Sequence, residues 1–259
     1  MYQILLNRVV YNEKISYFIC VAVLGLLVGC SKSIELQSLP EYGDELKSVN
    51  AESKFGYVRF EYMLPEDWDV SYSDFYSVWS FNKSIGEITP ASAIQIDACI
   101  SQYGLLIDNY EHRGDAVESI SAKEKKAYKE LFRGNTHAYK EVLETEYMKD
   151  NELMLYSKVL AASDGIPEMP EFIPKDSYVS DYSVEYYAAD GFNIAVVKYS
   201  YDLEGIIYKC IDCIRDDMPY FVRGGFDDTL SVSSGDYALL VASTMTVEED
   251  YELTDGWIK

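Results

Sequence analysis

Cys210-Ile211-Asp212-Cys213 is the stretch of this chain with the plainest chemical meaning. A C-x-x-C pair exchanges disulfides when one sulfur is a thiolate, which calls for a strand-to-helix junction and a positive local field. The flanks, Ile206-Ile207-Tyr208 and Ile214, read instead as a strand. Residues three apart on a strand point to opposite faces, so the two sulfurs should diverge. Asp212 between them further disfavours a thiolate. Two buried free thiols are therefore expected. The competing arrangement, open to an extracytoplasmic protein, is a disulfide from Cys99 to Cys210 or Cys213. A zinc site would need a fourth ligand from His112 or His137, and both lie in polar segments expected to be exposed.

Acidic pairs stand at Asp216-Asp217 and Asp227-Asp228, the second behind Gly224-Gly225-Phe226. Oxygen-rich loops with glycine can hold Ca²⁺, which makes these four the weak metal candidates. The D-x-[DN]-x-[DN]-G spacing is absent, and turn formation is the expected role. There is no G-x-S-x-G, no H-E-x-x-H and no phosphate-cradling glycine pattern. The chain is accordingly read as a non-enzyme without a cofactor. The alternative is a hydrolase of envelope polymers built on paired carboxylates, which requires two carboxyl groups about 5–10 Å apart in a cleft. Of the 24 tyrosines, Tyr186, Tyr187, Tyr199, Tyr201, Tyr208 and Tyr220 fall on or beside expected strands. A sheet that favours aromatics explains them before a sugar- or peptide-binding surface does.

The N-terminus carries a different signal. Arg8 and Lys14 precede an apolar run from Ile15 to Gly29, broken only by Ser16. As a helix this run would span about 22 Å, short of the roughly 30 Å hydrocarbon core. A short apolar run behind a basic start is the layout of an export signal. Leu27-Val28-Gly29-Cys30 resembles the lipobox of bacterial lipoproteins. The resemblance implies a diacylglyceryl group on the Cys30 sulfur, cleavage between Gly29 and Cys30, and a mature protein held by acyl chains on the extracytoplasmic face of the cell membrane. Two chains suffice for stable anchoring.

Charge narrows the partners. Lys and Arg number 22 against 44 Asp and Glu, a net of −22. Such a field repels phosphate backbones and anionic headgroups, so nucleic acid is not expected and membrane attachment should come from lipid. The remaining partner classes are a protein, a peptide or a glycan. The functional expectation is a membrane-anchored binding or accessory module of the cell envelope. A passive envelope protein without a ligand is a third reading.

The elements that must position these residues follow from periodicity. Residues 1–29 are read as the signal, 30–54 as a polar tether, 55–250 as one globular domain and 251–259 as a tail. Strands are expected at Tyr57–Leu64, within Trp68–Phe81, and at Ser92–Ile100. Ser121-Ala122-Lys123-Glu124 fits a capping box that opens a helix ending near Gly134. His137–Ala162 suits either a helix or two strands about Asp150-Asn151, with the hairpin favoured. Three prolines make Gly165–Pro174 a loop. Further strands are expected at Val184–Tyr187, Phe192–Tyr201, Ile206–Arg215, Tyr220–Arg223 and Tyr237–Val247, joined by short antiparallel turns. The sum is a single α+β domain, a mostly antiparallel sheet with one or two packed helices. The hairpin with Leu64-Pro65-x-x-Trp68, the middle helix and the long terminal strand are similar to the PsbP/Mog1-like fold. That resemblance implies a binding or accessory protein.

Overall fold

Alternating apolar residues and short turns do build strands in the computed structural model, which describes residues 34–43, 45–52, 58–73, 77–83, 85, 89–98, 122–165, 168 and 171–249. In chain order the strands are β1 (Leu36–Ser38), β2 (Leu46–Glu52), β3 (Val58–Pro65), β4 (Trp68–Ser73), β5 (Val78–Asn82) and β6 (Ala93–Ala98). Helices α1 (Ala122–Leu131) and α2 (His137–Ala161) follow. Then come β7 (Val179–Ala188), β8 (Asn193–Leu203), β9 (Ile206–Arg215), β10 (Tyr220–Phe226), α3 (Gly235–Thr244) and β11 (Thr246–Glu249). The expected single α+β domain is what forms, and Glu35–Lys259 cluster as one compact unit.

Eight strands make one sheet in the order β1-β7-β8-β9-β10-β6-β5-β4, and three make a second, β11-β3-β2. All pairings are antiparallel except β1 with β7. The β8–β9 turn places Glu204 and Gly205 at φ +52° and +86°, the geometry that suits a two-residue hairpin between twisted strands. One face of the large sheet carries α1 and α2. The other packs on α3 and the small sheet, where Phe60 of β3 meets Tyr220 of β10 edge-on at 5.2 Å and Tyr62 bonds Ser80 at 2.8 Å.

Helix α1 arises where the capping pattern placed it, with Ser121 itself outside the described residues. It ends at Leu131, and Gly134 in the turn that follows has a φ of +82°, which lets Asn135 N–H reach the Glu130 carbonyl.

Three expectations are corrected. The segment favoured as a hairpin at 137–162 is one 25-residue helix. It lacks glycine and proline and is rich in Ala, Leu, Glu, Lys and Met, all strong helix formers. Tyr139, Leu143, Tyr147 and Asn151, four apart, form its buried stripe. Asn151 is no turn residue: its amide bonds Tyr147 O and Asp202 O and accepts Glu204 N–H, tying the helix to the β8–β9 turn. The terminal strand expected at Tyr237–Val247 is mostly helix α3. Its residues Tyr237 to Ala242 are all buried, so an apolar segment covered on every side mimicked a period of two. The stretch read as a tether, 30–54, supplies β1 and β2 to the two sheets. The tail expected at 251–259 lies outside the described residues.

Candidate functional site

The centre of the α1–α2 face is an ion pair. Arg223 of β10 stands opposite Asp212 of β9 in register, so both side chains share one face. Arg223 Nε donates to Asp212 Oδ1 at 2.7 Å and Nη2 to Oδ2 at 2.9 Å. Tyr139 of α2 and Tyr199 of β8 donate their hydroxyls to Oδ2 at 3.0 and 3.1 Å. The Asp212 side chain is 0 % exposed. Four donors, two of them from a cation, compensate a charge buried this deep.

A shell surrounds this pair. Arg223 Nη1 reaches Glu146 Oε1 at 3.3 Å, and the guanidinium lies 4.9 Å from the Phe221 ring. Tyr147 bonds Tyr199 at 2.9 Å and stacks on Tyr201 at 4.0 Å, which stacks in turn on Tyr208. Burial raises the phenols of Tyr139, Tyr147 and Tyr199 well above their ordinary range, so they remain donors. Burial opposes the charge on Arg223, and Asp212 together with Tyr147, Tyr199 and Glu146 more than offsets it, so the guanidinium stays protonated. Burial also pushes the Glu146 carboxyl up, against the pull of Arg223.

This arrangement is suited to fixing a helix on a sheet. Three of the four donors converge on Oδ2 and one on Oδ1, and the carboxylate is wholly buried beneath them. The one guanidinium bonds both Asp212 and Glu146.

The expected site residues are dispersed. Cys210 and Cys213 are free and buried. Cys210 lies among Tyr199, Arg223 and Asp212, whereas Cys213 faces the other side with Arg215, whose Nη1 bonds the carbonyls of Ala242 and Met245 beside α3. The sulfurs thus diverge, as strand geometry demands. Burial pushes the Cys210 thiol up to about 12 and raises that of Cys213 as well. Asp216 accepts from Asn193 N–H and Nδ2, and Asp217 grips Arg215 at 2.6 and 2.8 Å. Asp227 accepts from Thr229 N–H and hydroxyl, a turn of its own, and Asp228 pairs with Lys209 at 2.5 Å. The two acidic pairs sit at opposite ends of β10 and do not converge. His137 is exposed beside Glu141 at 3.3 Å. Among the described residues no cluster of His, Cys, Asp and Glu has metal-site proximity. Cys30, Cys99 and His112 lie outside the described residues.

The other notable feature is a groove of about 740 Å³ beside the β3–β4 turn. Glu45, Glu66 and Asp67 line it with Leu230, Val232 and Tyr237. Lys47 braces the turn through the carbonyls of Glu66 and Trp68. Sequence reading missed both the groove and the Asp212–Arg223 pair. The signal for the pair was a lone acid and a lone base, each inside an apolar strand. No protein-family model, curated protein or solved structure matches the chain.

Proposed function

We propose that the chain is a lipid-anchored binding or accessory module on the extracytoplasmic face of a bacterial cell membrane. The observation that carries this reading is Leu27-Val28-Gly29-Cys30 at the end of a basic-then-apolar leader. Two features support it. No helix among the described residues is long and apolar enough to cross a membrane, so acyl chains are the attachment to test. The groove lined by Glu45, Glu66 and Asp67 offers acceptors to a ligand rich in donors or positive charge, such as a peptide or an amino sugar.

The test is chemical. Cells fed an alkyne-bearing fatty acid should label the wild-type protein and not the Cys30→Ala variant. The mature N-terminal peptide should begin at residue 30 and carry acyl mass. A mature chain that retains residues upstream of Cys30, or carries no acyl group there, overturns the reading.

A further inference from the structure

Six of the large apolar side chains exposed among the described residues gather at one end of the large sheet: Leu153, Met154, Leu160, Ile173, Ile206 and Ile207. The β8–β9 turn forms that end and carries Ile206 and Ile207, each 58 % exposed. Helix α2 runs toward it. Tyr139 near its start reaches Asp212, Asn151 already bonds Glu204 at the turn, and Leu153, Met154 and Leu160 lie beyond. Lys158 pairs with Glu204 there. Ile173 belongs to the segment entering β7, where Lys175 pairs with Asp202 at 2.7 Å.

Strand β1 fixes the direction from which the chain arrives. It runs parallel to β7, with Leu36 beside Tyr186 and Ser38 beside Ala188. Strand β1 therefore enters the sheet from the end at which β7 starts, which is this same apolar end. The seventh exposed apolar residue, Leu36 itself, opens β1.

Lengths then become decisive. Tyr186 faces Ala195, and Leu203 faces Ile206, so eight residue steps along β8 separate the level of Leu36 from the turn. At about 3.3 Å per step this is roughly 26 Å. Cys30 precedes Leu36 by six residues, a reach of at most about 21 Å. Whatever their path, those six residues keep Cys30 closer to Leu36 than the turn is, so a bilayer at an acylated Cys30 on the side from which β1 enters would meet the apolar end.

We propose that this end of the sheet rests on the lipid surface that holds the anchor, with Ile206, Ile207 and the end of α2 among the headgroups. The inference depends on acylation of Cys30. Anchoring makes the contact intramolecular, so modest apolar burial suffices to populate it. Asp150, Glu152 and Glu204 flank the apolar residues, so the favoured surface is one of uncharged headgroups.

The experiment places a photoreactive amino acid at position 206 of the full chain in its native membrane, with a control at position 190. Asp190 lies on the β7–β8 turn, at the opposite end of the sheet. Phospholipid adducts are expected at 206, with loss to background at 190. Adducts at 206 to another protein or to a second copy, equal lipid adducts at both positions, or none at either, overturn the docking. The N-terminal peptide is weighed in the same sample. Acylated residue 30 with no lipid adduct at 206 overturns the docking and leaves the anchor standing. Unacylated residue 30 overturns both. Moving the photoreactive group to position 160 and adding Ile206→Glu and Ile207→Glu should lower lipid adducts several-fold, and an unchanged yield also overturns the proposal.

Discussion

Asp212 and Arg223 illustrate how a buried charge pair behaves when its partners are complete. Removing one member strands the other in a dry site, at about 3–5 kcal/mol. Asp212→Ala and Arg223→Ala should each lower the urea midpoint by a corresponding amount, with little change in slope. Replacing both with apolar residues, Asp212→Leu with Arg223→Met, should lower it less than either single change, because the one carboxylate then left without Arg223, Glu146, is part-exposed and can be hydrated. Single variants within about 0.5 kcal/mol of the wild type would show that the pair holds nothing together. The cysteines give a second prediction. A thiol reacts as its thiolate, and a pKa pushed up to about 12 leaves almost none at pH 8 for Cys210. Burial raises Cys213 too. Peptide mapping after maleimide treatment should find both unmodified in native protein and modified in urea, and rapid native labelling would contradict their burial. The divergence of these sulfurs was legible in the sequence because a strand's two-residue period is local. The Asp212–Arg223 pairing was not, because it depends on the register of β9 against β10, which no short pattern fixes.

Elements were legible where their signals are local. Strands β7 to β10 and the stop of α1 before Gly134 follow from alternation and turn chemistry. The two helices misread as β-structure share one cause: their faces are decided by what covers them. Asn151 looks like a turn residue until the β8–β9 turn is folded against it. Helix α3 looks like a strand until the small sheet closes over it. Gly224 makes that closure testable. A Cβ there would lie 2.8 Å from the backbone of Ser234 and Gly235 at the start of α3, and backbone atoms have nowhere to go. Gly224→Ala should therefore destabilise the protein by about 1–3 kcal/mol through overpacking. Gly43, with nothing within 4 Å of its Cβ position, is the matched control. Gly43→Ala should stay within about 0.5 kcal/mol of the wild type. Thermal melts compare the two, and equal melting temperatures would mean that α3 does not press on β10 as closely as described.

On the scale of the whole molecule, charge sets the terms. With 44 acidic and 22 basic residues, acids outnumber cations two to one, and the folded state crowds them together. The exposed ion pairs, such as Lys83 with Asp69 at 3.3 Å and Arg59 with Glu248 at 3.6 Å, each contribute about 0–1 kcal/mol. Salt weakens those pairs and also weakens the repulsion, so the two effects oppose each other. Repulsion should win, because it sums over many acids at separations between about 8 and 30 Å, the range over which the Debye length shrinks as salt rises from about 0.01 to 0.15 M. The buried Asp212–Arg223 pair is shielded from ions and should hardly respond. Unfolding spreads the same charges over a larger volume, so the relief from screening is greater in the folded state. The urea midpoint should therefore rise across that salt range. A midpoint that falls instead would mean that the surface ion pairs, individually weak, outweigh the self-repulsion of the chain.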